Sequence, residues 1–233
     1  MTNAQSPSQP NAGPPPPSGA ANVNLGAYIS RAWQLITADL ALFVVGYLIV
    51  FLILCVPLVN LILAGPLLFG FVRVIQKRYQ GQPAEIGDIF QGFQDFSKGL
   101  VTILLLFVCG IVVYIPLFIV GLILRIIPIL GPIVAGLLMF AAMLCLWAAL
   151  FFVFKIAALS PVQPVDAIKQ SIRFFLANIR PMILLALVTG IIAMAGVVAC
   201  GVGIFFTMPL ALIIAVVAYN EYFLPHAPPE AIR

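Results

Sequence analysis

From Pro181 to Tyr219 the chain carries no charged side chain, and runs nearly as apolar cover Leu40 to Gln76 and Leu100 to Lys155. A helix needs about 20 apolar residues to cross the hydrocarbon layer of a bilayer. Pro181–Tyr219 is therefore too long for one crossing, and its composition suits lipid rather than water. The 233 residues are 64% hydrophobic and 8% charged, whereas soluble domains are about 25% charged. No water-soluble globule hides that much apolar surface.

Measured with that ruler, the chain gives six crossings. The first runs from Leu40 to Val59, turns at "VPLVN" (Val56 to Asn60) and returns through Leu61 to Gln76. The third covers Leu100 to Leu124, and "RIIPILGP" turns it into a fourth that ends near Lys155. The last apolar run folds back at "CGVG", Cys200 to Gly203, where two glycines permit a tight turn. The expected fold is all-α: a polytopic membrane protein with six transmembrane helices in three hairpins, occupying residues 25–223.

Charge placement sets the expected orientation. With both termini on one side, ten of the 11 basic residues fall there and only Arg125 lies opposite. The positive-inside rule makes the charged side cytoplasmic. Residues 1–24, with "GPPPPSG", are uncharged and lack an apolar run. That composition predicts a disordered proline-rich cytoplasmic tail rather than a signal peptide. Residues 224–233 form a short cytoplasmic tail.

The segment "DAIKQSIRFFLANIRP", Asp166 to Pro181, breaks the apolar pattern. Ile168, Ile172, Phe175, Leu176 and Ile179 follow helical spacing, with Lys169, Gln170, Arg173 and Arg180 on other sides. This predicts an interfacial amphipathic helix, with Pro181 in the first turn of the next helix. Two further segments share the pattern. "LGAYISRAWQLITADL" precedes the first crossing, with Tyr28 and Trp33 as interfacial aromatics, and "GDIFQGFQDFSKGL" precedes the third. The chain thus reads as three units, 25–80, 84–156 and 164–223, each an interfacial helix followed by a hairpin. Arg31, Trp33, Lys98, Lys169, Arg173 and Arg180 are the candidate residues for contact with lipid or a partner.

Lipid tails are as apolar as leucine, so the helices must associate through close backbone approach or polar contacts. Ala195, Ala199 and Gly203, and Ala141, Cys145 and Ala149, form small-residue ridges suited to this. Pro57, Pro66, Pro116 and Pro209 are expected to start or bend helices. Arg73, Asp39 and Glu221 sit near the inner boundary, where they either pair or reach water. The central thirds of the crossings hold no ionisable group, each of which costs about 2.5–3.5 kcal/mol at a helix centre. Coupled ion carriers usually place such groups there.

Enzyme chemistry has no foothold. There is no nucleophile-base-acid set, phosphate loop or dinucleotide fingerprint. Cys55, Cys109, Cys145 and Cys200 are widely spaced and His226 is the only histidine, so no metal or cofactor is expected. The cysteines read as packed thiols, with a Cys55–Cys200 disulfide as the alternative. The sparse basic residues exclude a nucleic-acid partner. "AWQLITADLALF", "AGPLLFGF", "GDIFQGFQDF" and "VAYNEYF" together resemble the YciC-like group of bacterial six-helix inner-membrane proteins. They are also similar to the membrane domain that accompanies some glycerophosphoryl diester phosphodiesterases, whose soluble catalytic domain has no counterpart here.

The resemblance implies an integral protein of the bacterial inner membrane with an envelope-related or accessory role and no catalytic residues. Two functions follow: a non-enzymatic accessory protein or scaffold that engages membrane lipids or a protein partner through its cytoplasmic face, or a transporter or channel for an uncharged or lipid-like solute. The topology makes a direct prediction. Cysteines placed at positions 95 and 169 of a cysteine-free variant react with membrane-impermeant maleimide only from the cytoplasmic side, and one at 125 only from outside.

Overall fold

In an apolar medium every backbone N–H and C=O needs an internal partner, which leaves helix as the economical choice for a chain like this one. The computed structural model describes residues 24–198 and 201–223. Among them it has no strand. The helices are α1 (Leu25–Ala38), α2 (Leu40–Leu54), α3 (Pro57–Tyr79), a 3-10 helix (Ile86–Asp95), α4 (Phe96–Leu124), α5 (Leu130–Leu150), α6 (Val153–Leu159), α7 (Pro164–Ala177), α8 (Ile179–Val198) and α9 (Ile204–Phe223). Five runs are long and apolar enough to cross a membrane: Val59–Tyr79, Ile86–Leu124, Leu130–Leu159, Ile179–Val198 and Ile204–Phe223. A sixth is counted if α1 and α2, bent by 89° to one another, are taken as one.

The bend falls at Asp39, whose backbone leaves helical geometry (φ −138°, ψ 56°) and whose carboxylate pairs with Arg78 near the end of α3. At the other end of α1, Asn24 accepts a hydrogen bond from the Ala27 N–H at 3.2 Å and caps the helix. The first apolar helix is shorter than the expected Leu40–Val59. It stops at Leu54 because Pro57 starts α3 instead of interrupting a longer turn. At 1.5 Å per residue, the 15 residues of α2 extend about 22 Å.

Pro66, Pro116 and Pro209 lie inside α3, α4 and α9. Between α4 and α5 the Leu130 N–H bonds to the Pro128 carbonyl at 2.7 Å. This closes a γ-turn on Ile129, which takes a positive φ of 67°. The last two helices reverse after Gly201, whose φ of 76° favours glycine. Cys200 and His226 lie outside the described residues, as do the Cys55–Cys200 pairing and both expected tails apart from Asn24.

The expected interfacial segment before α4 takes a different form. Ile86–Asp95 is a ten-residue 3-10 helix, in which residues three apart fall in line. One line stacks Phe90, Phe93 and Phe96, with ring centroids 6.3 and 6.4 Å apart. A second pairs Asp88 with Gln91 at 2.5 Å and turns toward Lys77. The third, Ile89 and Gly92, is buried against α3. The apolar side of this segment therefore serves partly as protein core rather than lying wholly on lipid.

Glycine makes that contact possible. Gly70 faces the Ile89 carbonyl, Gly92 faces the Pro66 carbonyl and the Gly70 N–H, and Gly65 and Gly99 meet backbone to backbone. A side chain at any of the four would strike main chain. The two small-residue ridges read from the sequence make only part of the contacts expected of them. Gly203 meets Gly196 and Thr207 in the α8–α9 contact and Ala149 packs on the core, whereas Ala195, Ala141 and Cys145 are exposed and Ala199 lies outside the described residues.

The core lies where α3 and α9 end. Phe69, Phe71 and Ile75 of α3, Ile213 to Tyr219 with Tyr222 and Phe223 of α9, and Phe152 and Phe174 are buried together with Tyr28 and Ile36 of α1. Phe152 is ringed by Phe151, Phe174, Tyr219, Tyr222 and Phe223 at centroid distances of 5.2–6.4 Å. By contrast, α4 and α5 pack against each other and expose large apolar side chains such as Phe107, Val112, Leu137 and Phe140. The α5 helix breaks at Phe151–Phe152, and Ser171 of α7 repairs the gap. Its hydroxyl donates to the Ala149 carbonyl at 2.7 Å and accepts from the Phe152 N–H at 3.3 Å.

The glycine contacts predict that Gly70→Val or Gly92→Val forces α3 and the 3-10 helix apart. Overpacking of this kind costs about 1–3 kcal/mol or more. The expected readout is an earlier midpoint in thermal aggregation of the detergent-solubilised protein, whereas Gly136→Ala, which meets open space, leaves the midpoint unchanged.

Candidate functional site

The polar groups of this molecule divide into those that hold the helices and those left over. In the first group, Gln76 of α3 and Asn220 of α9 exchange two amide hydrogen bonds of 2.7 and 2.6 Å in a buried setting, and Asn220 also donates to the Val216 carbonyl at 2.8 Å. Thr102 and Thr189 turn their hydroxyls back onto carbonyls of their own helices. Tyr28 and Tyr222 join hydroxyls at 3.0 Å.

Most of the basic residues also belong to this framework. Arg73 pairs with Asp95 and donates to the Ala158 carbonyl at 3.1 Å. Lys98 donates to the Ser160 carbonyl at 2.7 Å. Both cations therefore sit on the carboxyl end of α6, where the last carbonyls lack helical partners and the helix dipole favours positive charge. Lys77 pairs with Asp88 at 3.2 Å. The sequence left open whether Arg73, Asp39 and Glu221 pair among themselves. Arg73 and Asp39 take other partners, Asp95 and Arg78.

The six candidate contact residues are not brought together. Arg31 of α1 donates to the Tyr79 hydroxyl at 3.3 Å, binding α1 to the end of α3. Trp33 is half exposed, with its ring edge-on to Phe206 at 5.6 Å. Lys98 is held at α6. Lys169 pairs with Asp166 at 3.3 Å on an exposed face of α7. Arg173 and Arg180 are exposed and have no hydrogen-bond or ion-pair partner among the described residues. They flank the junction where α7 ends at Ala177 and α8 begins at Ile179, with Pro181 in its first turn as expected.

Local sequence explains the position of α7. Pro164 sets its first turn, and Ala167 and Ser171 are small enough for its inner face to approach α5 and α6. Beside it runs an open groove of about 480 Å³ bordered by Gln163, Asp166, Lys169, Gln170 and Arg173. A second, apolar recess of about 260 Å³ lies between α2 and α3, lined by Tyr47, Phe51, Leu54 and Asn60. No group of three or more metal-ligating side chains occurs among the described residues.

Two features escaped the sequence reading. One is the Gln76–Asn220 pair, signalled only by an amide at the end of each of two apolar runs. The other is Lys155, expected at the boundary but buried. It donates to the Phe151 carbonyl at 2.9 Å and lies 4.6 Å from the centre of the Phe151 ring. The clue was the apolar "IAAL" after it, which places the lysine inside a helical run.

The fold defines an all-helical protein with five or six helices suited to span a membrane. No protein-family model, curated protein or solved structure matches the chain. The division of the basic residues predicts different responses to substitution. Arg73→Met strips a carboxylate and a helix end of their partner and destabilises the detergent-solubilised protein by about 1–3 kcal/mol, whereas Arg173→Ala and Arg180→Ala stay within about 0.5 kcal/mol of the parent. Parallel melts of the three variants check this.

Proposed function

We propose that this chain is a non-enzymatic integral protein of the bacterial inner membrane that works as an accessory or scaffold through its cytoplasmic face. The topology that goes with this is six crossings in three hairpins with both termini inside, α7 lying at the membrane surface. In it α2 is a short first crossing, tilted from α1 by the bend at Asp39. Lopsided basic charge and the resemblance described above support the sidedness and the compartment.

One observation carries the reading. Arg173 and Arg180 remain exposed and unbonded among the described residues while Arg31, Arg73, Lys77, Arg78 and Lys98 are tied to other elements. Charges that hold nothing in the fold are available to something outside it. The alternative, a path for an uncharged or lipid-like solute, has the recess between α2 and α3 in its favour. At about 260 Å³ that recess falls short of the ~300–1,000 Å³ typical of ligand pockets.

Two measurements separate the readings. Glycerol permeability of proteoliposomes containing the purified protein should equal that of empty vesicles. A photo-crosslinking amino acid at position 169, off the apolar stripe of α7, should give a discrete adduct in cells, lost in the Arg173→Ala/Arg180→Ala variant. Glycerol flux above the empty-vesicle rate transfers the case to the channel.

A further inference from the structure

Helix α7 has two apolar sides with different destinations. The inner side, Ala167, Ser171, Phe174 and Phe175, is buried against the protein. The outer side consists of Val165, Ile172 and Leu176, which are 49%, 36% and 62% exposed. At about 100° per residue the three outer side chains fall within about 40° of one another, and Lys169 and Arg173 occupy roughly the next 60°. The sequence expected one stripe that included Phe175. The structure moves Phe175 into the core and puts Val165 on the outer stripe.

An apolar stripe bordered by a basic arc is the arrangement of a helix lying in a membrane surface, apolar side toward the acyl chains and cations at headgroup depth. Continuity with α8 fixes that depth. Ile179, 46% exposed, begins α8 directly after the break at Asn178, and from Pro181 the chain is free of charge through Tyr219. The stripe on α7 thus lies where the polypeptide enters its apolar surroundings. Asp166 neutralises Lys169 within the arc, which leaves Arg173 as its net charge, with Arg180 following in the first turn of α8. A guanidinium presents paired donors that match two oxygens of a phosphate.

We propose that the outer side of α7 seats on the bilayer surface and that Arg173 and Arg180 select anionic phospholipid headgroups there. This rests on the accessory reading above and names the partner of that face as lipid.

The test uses the full chain, purified and placed in nanodiscs of phosphatidylcholine and phosphatidylglycerol, with retained lipids counted by native mass spectrometry. Two arginines near an anionic surface should favour retained phosphatidylglycerol by about thirtyfold over phosphatidylcholine at low salt. The preference should collapse at roughly 0.5 M salt, where screening acts within about 4 Å. Arg173→Ala/Arg180→Ala should retain both lipids equally, and Arg173→Lys/Arg180→Lys should keep a reduced preference, because the charge remains without the paired donors.

Equal retention by the parent protein, or an undiminished preference in the alanine variant, overturns the proposal. If the alanine variant is not monodisperse, the salt series on the parent decides, and a preference unmoved by salt sinks it. Failure here is distinct from failure of the accessory role. Glycerol flux with intact anionic preference removes only the role, whereas a discrete protein adduct without lipid preference removes only the lipid assignment.

Discussion

The approach of two backbones along α3 underlies the rest of this structure. In lipid, helices gain little by hiding one apolar surface against another, so close main-chain contact and buried hydrogen bonds decide which helices stay together. Gly65, Gly70, Gly92 and Gly99 give α3 and the segment leading into α4 that closeness. Once the segment is seated, Asp88 and Asp95 come within reach of Lys77 and Arg73. Arg73 in turn reaches the end of α6. A contact of four glycines thus positions the ionic network and, through α6 and Ser171, the helix α7.

That chain of dependence separates charge used for architecture from charge left for recognition. Cations on α3 and at the start of α4 complete helix ends or meet carboxylates, which is how buried and half-buried charge is normally tolerated. On α7 the inner face is fastened by Ser171, Ala167 and two buried phenylalanines, so Arg173 is not needed to hold it. A rigid support beneath an uncommitted basic edge is a suitable base for surface recognition, because little of the edge has to be ordered on contact.

Much of the fold was legible in sequence because hydrophobic length and proline and glycine placement act locally. The apolar runs, the start of α7 after Gln163, Pro181 in the first turn of α8 and the reversal near Gly201 all follow from residues close in the chain. Long-range partners did not. Hydropathy cannot separate protein-facing from lipid-facing side chains, so the spacing puts Phe175 on the outer stripe although it is buried. Lys98 appeared available because its acceptor, Ser160, is 62 residues away in sequence. The 3-10 coil escaped for another reason: spacings of three occur in α-helical patterns as well, and only the stacked phenylalanines reveal which coil is present.

That coil also governs the placement of α4. Ten residues at a rise of about 2.0 Å cover about 20 Å, whereas α-helical winding would cover about 15 Å. The difference is close to one α-helical pitch. Rewinding this short piece would therefore haul the 29-residue α4 along α3 by about 5 Å without altering the number of residues between them.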